Sequence, residues 1–309
     1  MAIANGAQQA LYYKAETAYG VQPDAADPYT WTPFPFTGTS LALTKDAIES
    51  EKLRGDRQIE DFRHGNKSIG GDITSELEYG AFDDILSAVM CNDWAGNVLK
   101  TGTTRKSFLV ERRFLDLATP EYHRYSGCEF NSLALSVSPN AMVTATWTVV
   151  GKDLALATTA ITNSQYNPDV GEVPFDSFTG SITEGGTSIA TVTSIELTIE
   201  NGLEPLFAVG STTTNRPSIG KSRVTGSLTT YFENKSLYEK FINETESEIV
   251  LVLKDIDNNQ YTIDLPNIKY NSGQPDVSGE GPITVAMDFV ALYKGGSDVS
   301  NIVITRVTA

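Results

Sequence analysis

The chain contains few of the side chains on which most active sites depend. Its 309 residues include 2 His and 2 Cys, and His64 and His123 lie in unrelated stretches, one densely charged and one turn-like. No HExxH, CxxC or GxSxG motif is present, and the stretch GNKSIGG lacks the spacing of a P-loop. We therefore predict no catalytic residue, no metal site, no cofactor and no enzymatic activity. A hydrolase with a dispersed active site is the remaining enzymatic alternative.

Cysteine is too scarce to hold the fold together through disulfides. Cys91 and Cys128 are the whole complement, and an intracellular chain with so few cysteines usually keeps them as buried thiols. We predict two buried free thiols, with a disulfide between them as the less favoured alternative.

Basic residues are outnumbered by acidic ones. The 23 Lys and Arg face 39 Asp and Glu, and the net charge of −16 divides into −6 for residues 1–155 and −10 for residues 156–309. Nucleic-acid binding needs concentrated Lys and Arg, and the pair Arg112–Arg113 is too small a patch. Two interpretations remain open: a surface that keeps the protein soluble, or a surface past which DNA moves without binding.

Long apolar runs are also missing. No stretch approaches the roughly 20 apolar residues that a membrane-spanning helix requires. The first residues, MAIANGAQQALYYKAETAYG, lack a basic head followed by an apolar block. We expect neither an integral membrane protein nor a secretory signal.

What the chain does contain is a series of short alternating segments. Apolar and polar residues alternate in the manner of half-buried strands at Ser40–Thr44, Ser132–Val137, Met142–Val150 and Thr193–Ile199. Two hairpins are predicted, one pairing Ile249–Lys254 with Gln260–Leu265 and one pairing Ser181–Thr183 with Ser188–Val192. The fold is therefore predicted to be mainly β.

Helical spacing is confined to two short segments, Ala81–Met90 and Ser236–Asn243. Asp83 and Asp84 begin the first, where carboxylates complement the helix dipole, so we interpret them as structural. Trp94, which follows this helix, is interpreted as a packing residue, as is Cys91.

The stretch GNKSIGGDITSELEYGAFDDILSAVM is echoed later as GKSRVTGSLTTYFENKSLYEKFINE. Gly71 aligns with Gly226 at a spacing of 155 (226 − 71), which places Phe82 on Leu237 without a gap. Upstream, SLALT matches SIELT at a spacing of 154, and downstream VTATWTVVG resembles ITVAMDFVA. Ordinary β-periodicity is one explanation. Because the elements recur in the same order, we favour two homologous β-domains, residues 1–155 and 156–309, each with one short helix.

Four further segments lie outside this repeat pattern, and three of them have more than one interpretation. The long polar loops Lys45–Lys67 and Glu200–Lys221 are either solvated charged hairpins or arms that dock on a neighbouring subunit. The tail after Lys294 is either loose or, as we favour, a β-strand that docks on a neighbour, since NIVITRV is apolar and β-branched. PYTWTPFPFTG, with Pro28, Pro33 and Pro35, is predicted to be an extended surface segment rather than the centre of a strand.

Three stretches of the first half resemble the tail tube proteins of long-tailed bacteriophages of the siphophage type. They are LRGDRQIEDFRHGNKSIGGDITSELEYGAFDDILSAVM, DWAGNVLKTGTTRKSFLVERRF and YHRYSGCEFNSLALSVSPNAMVTATWTVVGKD, within roughly Thr39–Asp153. The resemblance is carried by the GDRQ, GGDI and ELxYGxFDD strings, by the Trp after the helix, and by the SPN turn before the last strand. In the second half it depends on the internal echo.

The resemblance implies a β-sandwich or barrel-like domain flanked by a helix, whose sheets join those of neighbouring subunits into a β-lined channel. Such rings would stack into a tail tube, and DNA would pass through the lumen into the host without specific binding. A chain that carries the domain twice would need three copies for a pseudo-hexameric ring, with six copies as the alternative.

The implied partners are further copies of the chain and other tail proteins such as the tape measure, the tail terminator and the distal tail protein. No membrane is implied, and the expected location is the virion tail after assembly in the host cytoplasm. A glycan- or host-binding β-sandwich module is the alternative function, because such modules are also acidic, aromatic and short-stranded. The aromatic residues here fall in strand patterns rather than in one exposed cluster, which disfavours it.

Overall fold

In the computed structural model the described residues are 3–23, 29–52, 55–56, 58–169, 171–177, 179–189, 191–276, 279–296 and 300–309. The first half comprises β1 (Ala10–Ala15), β2 (Tyr29–Pro33), β3 (Gly38–Thr39), β4 (Ala42–Glu49), β5 (Phe62–Glu76), α1 (Asp83–Val89), β6 (Val98–Lys100), β7 (Phe108–Phe114), β8 (Glu121–Val137), β9 (Thr144–Gly151) and β10 (Asp153–Ala157). The second half comprises β11 (Ser164–Tyr166), β12 (Ser181–Glu184), β13 (Thr187–Ser188), β14 (Val192–Glu200), β15 (Glu204–Leu206), β16 (Asn215–Ser218), β17 (Arg223–Tyr231), α2 (Ser236–Ile242), β18 (Ser247–Lys254), β19 (Gln260–Tyr270), β20 (Pro275–Asp276), β21 (Thr284–Ala291) and β22 (Val303–Val307).

The predicted mainly β fold is confirmed, with one short helix in each half. The described strands form one large mixed sheet and a separate pair, β15–β16, and they do not close into a barrel. Between these named strands the pairing is antiparallel except for β2 and β11. Antiparallel sheets can face water on one side, and the burial pattern shows this directly.

Eight strands form a central sheet in the order β4, β5, β9, β8, β14, β17, β21 and β20. Four come from each half of the chain. In β9 the side chains of Ala145, Trp147 and Val149 are buried, whereas the intervening threonines lie on the opposite face, as the alternation predicted. One hydrophobic core beneath this sheet includes residues from both halves.

The two halves share an order of strand pairing. In the first half the order is β4–β5–β9–β8–β7, and in the second it is β14–β17–β21–β19–β18. Gly71 pairs with Val149 and Gly226 with Phe289, which relates β9 to β21 by 140 residues (289 − 149). This is the spacing at which VTATWTVVG and ITVAMDFVA align, so the register supports that part of the echo.

The spacing of 154 for SLALT and SIELT is wrong by two residues. Ala42 pairs with Gly70, and the corresponding Thr225 pairs with Thr198, so the spacing is 156 (198 − 42). The first half is interrupted between β3 and β4, where Gly71 has a φ of +139° and a Cβ would lie 2.6 Å from the Ser40 carbonyl oxygen. A two-residue slip keeps every side chain on its face, so the alternation in the sequence does not reveal it.

The two helices differ in burial. In α1 the side chains of Ile85, Leu86 and Val89 are buried, as their spacing predicted. In α2 no residue is buried, and Leu237 and Phe241 are only partly covered. The helix of the second half is therefore more exposed than the helix of the first half.

The C-terminal tail forms a strand that pairs within the same chain. The expectation that it docks on a neighbour is therefore wrong. Strand β22 pairs with β6 of the first half and with β19 of the second. Arg306 forms an ion pair with Asp83 and lies 4.6 Å from the centre of the Trp94 ring. The β-branched residues of β22 lie between the two halves. The apolar residues of the tail are therefore covered within one molecule.

The prediction for the PYTWTPFPFTG segment is also wrong. Strand β2 lies between β1 and β11, and Tyr29 and Trp31 are almost completely buried. The segment begins with Pro28, which lies outside the described residues. Pro33 stands at the last position of the strand, where the loss of one N–H disturbs the ladder least.

The predicted hairpin of β18 with β19 is confirmed, and the hairpin of β12 with β13 is shorter than predicted, because β13 comprises only Thr187–Ser188. Asn258 has a φ of +71° in the turn between β18 and β19, and Gly185 and Gly186 form the turn between β12 and β13. The stretch Lys45–Lys67 agrees with one of its two interpretations. Much of Lys45–Lys67 is a projecting hairpin, because β4 and β5 remain paired as far as Glu49 and Phe62. We call residues 45–67 the arm.

We predict that Gly226→Ala destabilises the protein by about 1–3 kcal/mol through overpacking. An added Cβ would lie 2.4 Å from both the Glu196 carbonyl oxygen and the Phe289 ring. Urea unfolding measures the change, with Gly281→Ala as the control because its Cβ would meet open space. Equal stability of the two variants would contradict the close approach of β14, β17 and β21.

Candidate assembly surface

The structure does not bring the candidate chemical residues together. His64 lies in β5 beside the Phe62 ring, and His123 lies in β8, where it contacts Glu121 and Phe114. Within the described residues no three His, Cys, Asp or Glu side chains form a metal-binding group. Cys91 and Cys128 are buried free thiols, as predicted, and burial raises the pKa of both.

The Arg112–Arg113 pair takes part in packing within the first half and against β11 of the second half. Arg112 donates a hydrogen bond to the Leu41 carbonyl oxygen at 3.0 Å, and Arg113 lies 3.7 Å from the centre of the Tyr166 ring. The neighbouring Glu111 is fully buried and accepts hydrogen bonds from Arg124 and from the Tyr166 hydroxyl. Sequence pattern alone does not reveal this buried cluster, because Glu111, Arg124 and Tyr166 come from three separate strands.

Asp83 proves to be more than a helix-dipole residue. Besides its place in the first turn of α1, it accepts a hydrogen bond from the Tyr261 hydroxyl at 2.6 Å and pairs with Arg306. Burial, followed by the charge of Asp83, raises the pKa of Tyr261. Asp83 thus ties the first helix to the second half and to the C-terminal strand.

The most extensive backbone junction between the halves is a strand pair. Residues 132–137 of β8 pair with residues 195–200 of β14 in six consecutive antiparallel pairs. The apolar side chains of this junction point into the common core and are almost completely buried; they are Leu133, Leu135, Ile195, Leu197 and Ile199. We call this pairing the internal joint.

The segment that follows β14 seals the internal joint. The Asn201 backbone N–H donates to the Asn131 carbonyl oxygen at 2.9 Å, and the Asn201 side chain donates to the Val89 carbonyl oxygen at 2.8 Å. Further along, Arg216 pairs at 2.7 Å with Glu129, whose second oxygen is held by Arg105. The stretch Glu200–Lys221 therefore docks on the first half of the same chain, which could not be read from its composition.

Both outer edges of the central sheet are unpaired among the described strands. At one edge β4 pairs only with β5, and at the other β20 pairs only with β21. Along a strand, the N–H groups of successive residues point alternately to one side and to the other. Because the Ser40 N–H donates to the Asp72 carbonyl oxygen of β5, the N–H groups of Leu43 and Lys45 point away from β5. An exposed edge of this kind is a template for pairing with another chain.

The face of the central sheet opposite the core is polar and acidic. Threonine and serine alternate there with carboxylates, and Arg223 is a basic residue at one end. The carboxylates are Asp72, Glu76, Glu196, Glu200 and Asp288. Two of them are oriented by neighbouring hydroxyls, since Thr148 donates to Asp72 and Ser272 donates to Asp288.

The sequence of the chain is similar to that of a known protein family. A sequence model of one family, described as phage tail tube protein, matches residues 6–291. The chain belongs to this family. The match covers both halves of the central sheet and ends before β22 begins. No curated protein sequence matches the chain.

Membership assigns the chain a structural role in the tube of a phage tail, hence in the virion, where it associates with further copies and with other tail proteins. A structural family of this kind suggests a non-enzymatic protein. Neither helix of the described chain has the length and apolarity needed to cross a membrane.

One carboxylate beside the connection between the halves responds to pH. Glu78 forms a backbone bridge with Pro174, and burial raises its pKa to about 7, with Asp169 and Glu172 adding to the effect. The folded state therefore holds a proton that the unfolded chain releases near pH 4.5. Consequently, stability should fall as pH rises through this interval.

We predict that Glu78→Gln is more stable than the wild type at pH 8, and that the difference shrinks as pH falls through 7 towards 5. Urea unfolding at each pH measures it. Glu233→Gln makes the same chemical change at the corresponding exposed position of the second half and controls for the loss of one charge. A stability difference that does not vary with pH would contradict the raised pKa.

Proposed function

We propose that the chain self-assembles into closed rings that stack into the phage tail tube. In this proposal residues 1–155 and 156–309 are two tail tube domains in tandem. The supporting observation is the internal joint, in which the β8 edge of the first half pairs with the β14 edge of the second. Strand β4 corresponds to β14, and β20 corresponds to the end of β8. The two free edges of the chain are therefore equivalent to the two edges that meet in the internal joint. Each chain can therefore repeat the joint with the next.

The width of the channel favours three chains per ring. Each chain contributes eight strands, and three chains contribute 24. At about 4.8 Å between strands the circumference is about 115 Å, so facing backbones are about 37 Å apart before any tilt widens the ring. That width leaves room for side chains and a DNA duplex. Two chains would leave far less space, and six chains would double the width.

The acidic face of the central sheet suits a lumen for DNA. With the core side of the sheet turned outward, Asp72, Glu196 and Asp288 line the channel. Three chains carry 48 net negative charges, from −16 each. DNA gains affinity from contacts with Lys and Arg that release counterions, so an acidic wall allows DNA to pass without binding.

Assembly takes place in the host cytoplasm, and the finished tube delivers DNA into the host. Further partners in this proposal are the tape measure inside the tube, the tail terminator at one end and the distal tail protein at the other. Stacking of rings accounts for the outer part of the projecting arm, whose exposed apolar residues include Ile59.

We predict that Lys45→Pro raises the protein concentration needed for ring formation about tenfold, which corresponds to about 1.4 kcal/mol. Proline removes an N–H at the free edge and places its ring where a neighbouring strand would approach. Lys45→Ala is the matched control, because it removes the same charge and keeps the N–H. Sedimentation and negative-stain microscopy measure assembly. Monodisperse wild-type monomers that bind glycans would instead favour a host-binding module.

We predict that tubes carrying Glu196→Lys, Glu200→Lys and Asp288→Lys bind DNA, with an affinity that falls steeply as salt rises. The matched control carries Asp93→Lys, Glu121→Lys and Asp257→Lys, which make the same change of charge at exposed sites outside this face. DNA retention by sedimented tubes is the measurement. Equal retention by both sets of tubes would contradict an acidic lumen.

A further inference from the structure

Each half of the chain has a cavity between the end of its helix and the strand that corresponds to β8. In the first half the cavity is lined by Ala88, Cys91, Glu129 and Phe130, among others. In the second half it is lined by Phe241, Ile242, Glu244, Lys269, Tyr270 and Asn271. The register relates the two, because Phe130 pairs with Val149 and Tyr270 with Phe289. We call them the first and second sockets.

The first socket is filled from within the chain. Asn201, Leu203 and Ile219 of the segment after β14 form one side of it, and the free volume is about 10 Å³. The Leu203 N–H donates to the Asn131 side-chain oxygen at 2.7 Å, and the Leu203 side chain is 8% exposed. A continuation of the edge strand thus closes the first socket.

The second socket is open. Its free volume is about 480 Å³, and its lining comes only from α2, the residues that follow it, and β19 with its continuation. Asn271 stands at the position of Asn131 (131 + 140 = 271) and is exposed to solvent. Ile242 lines this socket beside Phe241 and is 58% exposed. The described chain has no segment in the place that residues 201–219 occupy in the first socket.

We infer that the second socket receives the base of the arm from a second copy of the chain. This inference depends on the proposed ring and specifies its joint. The register of the internal joint, carried over by the spacings of 140 and 156, places Ser272–Pro275 of one copy opposite Leu41–Thr44 of the next. Lys45 then stands where Asn201 stands in the internal joint and faces Asn271.

The signs of charge on the socket wall and on the docked segment are exchanged between the first socket and the second. In the first socket Glu129 of the wall meets Arg216 of the docked segment. In the second socket the corresponding wall residue is Lys269, which also lies 3.8 Å from Glu246, and the arm carries exposed carboxylates, including Asp46 on β4 and Asp61 immediately before β5. The arm also carries Ile48, which is 58% exposed and suits the apolar wall formed by Phe241 and Ile242.

Disulfide cross-linking tests the register. Residues opposite each other in antiparallel strands have Cα atoms about 4.5–5.5 Å apart, within the range of about 4.4–6.8 Å that a disulfide spans. We expect a mixture of Ala42→Cys and Gln274→Cys proteins to form a covalent dimer on mild oxidation. Both positions are exposed, and the two natural cysteines are buried.

The matched control is a mixture of Thr44→Cys and Gln274→Cys proteins. Thr44 lies on the same face as Ala42 but two residues away, which adds about 6.8 Å along the strand and exceeds the reach of a disulfide. We expect the control to cross-link at least about tenfold more slowly. Equal cross-linking of the two mixtures, or faster cross-linking of the control, would overturn the register.

Labelling of an introduced thiol tests the occupancy of the second socket. Ile242→Cys should react quickly with a thiol reagent in the monomer and become protected when rings form. Ile256→Cys, at a position that is 67% exposed in the turn between β18 and β19, should remain reactive in both states. Protection of Ile242→Cys in the monomer, or no protection in rings, would show another occupant or none and overturn the inference.

The results separate the inference from the proposed function. Rings that form without cross-linking at 42 and 274 would refute the joint and leave ring assembly standing. A wild-type protein that forms neither rings nor tubes would refute both. Cross-linking in the expected register, together with protection of Ile242→Cys, would support both.

Discussion

Backbone hydrogen bonding at the margins of one antiparallel sheet governs this structure. Every N–H and C=O group of a strand needs a partner or water, and a long exposed edge invites another strand. Within the chain, one edge of the first half pairs with one edge of the second half, where β8 and β14 are paired over six residues. At β4 and β20 it is not met by any described strand. The molecule is thus complete in its core and incomplete at two matching edges.

Other contacts make the two halves behave as one building block. The common core runs beneath both halves, and β22 lies between β6 and β19. Asp83 joins the first helix to Tyr261 and Arg306. A subunit that must hold two edges at a fixed separation benefits from such ties, because movement between the halves would spoil the closure of a ring. In the proposed ring, these ties keep the two edges at a fixed separation.

The sequence predicted features that depend on local pattern. Alternation located β9, β14, the end of β8 and the start of β4, helical spacing located α1 and α2, and the echo predicted that the elements recur in the same order. Features that depend on distant partners were missed, such as the buried ion pair of Glu111 with Arg124 and the docking of Asn201 beside α1. The burial of Trp31 was missed for a related reason: prolines indicated a surface segment, whereas the parallel partner β11 lies more than 130 residues away.

The mass of the smallest closed assembly tests the central claim most directly. Native mass spectrometry of purified rings should give three times the chain mass of 33.5 kDa, because three copies of an eight-stranded sheet complete each other's edges. A single chain at every concentration would show that the edges need no partner. Six chains per ring would show that the two halves do not act as successive units of one wall.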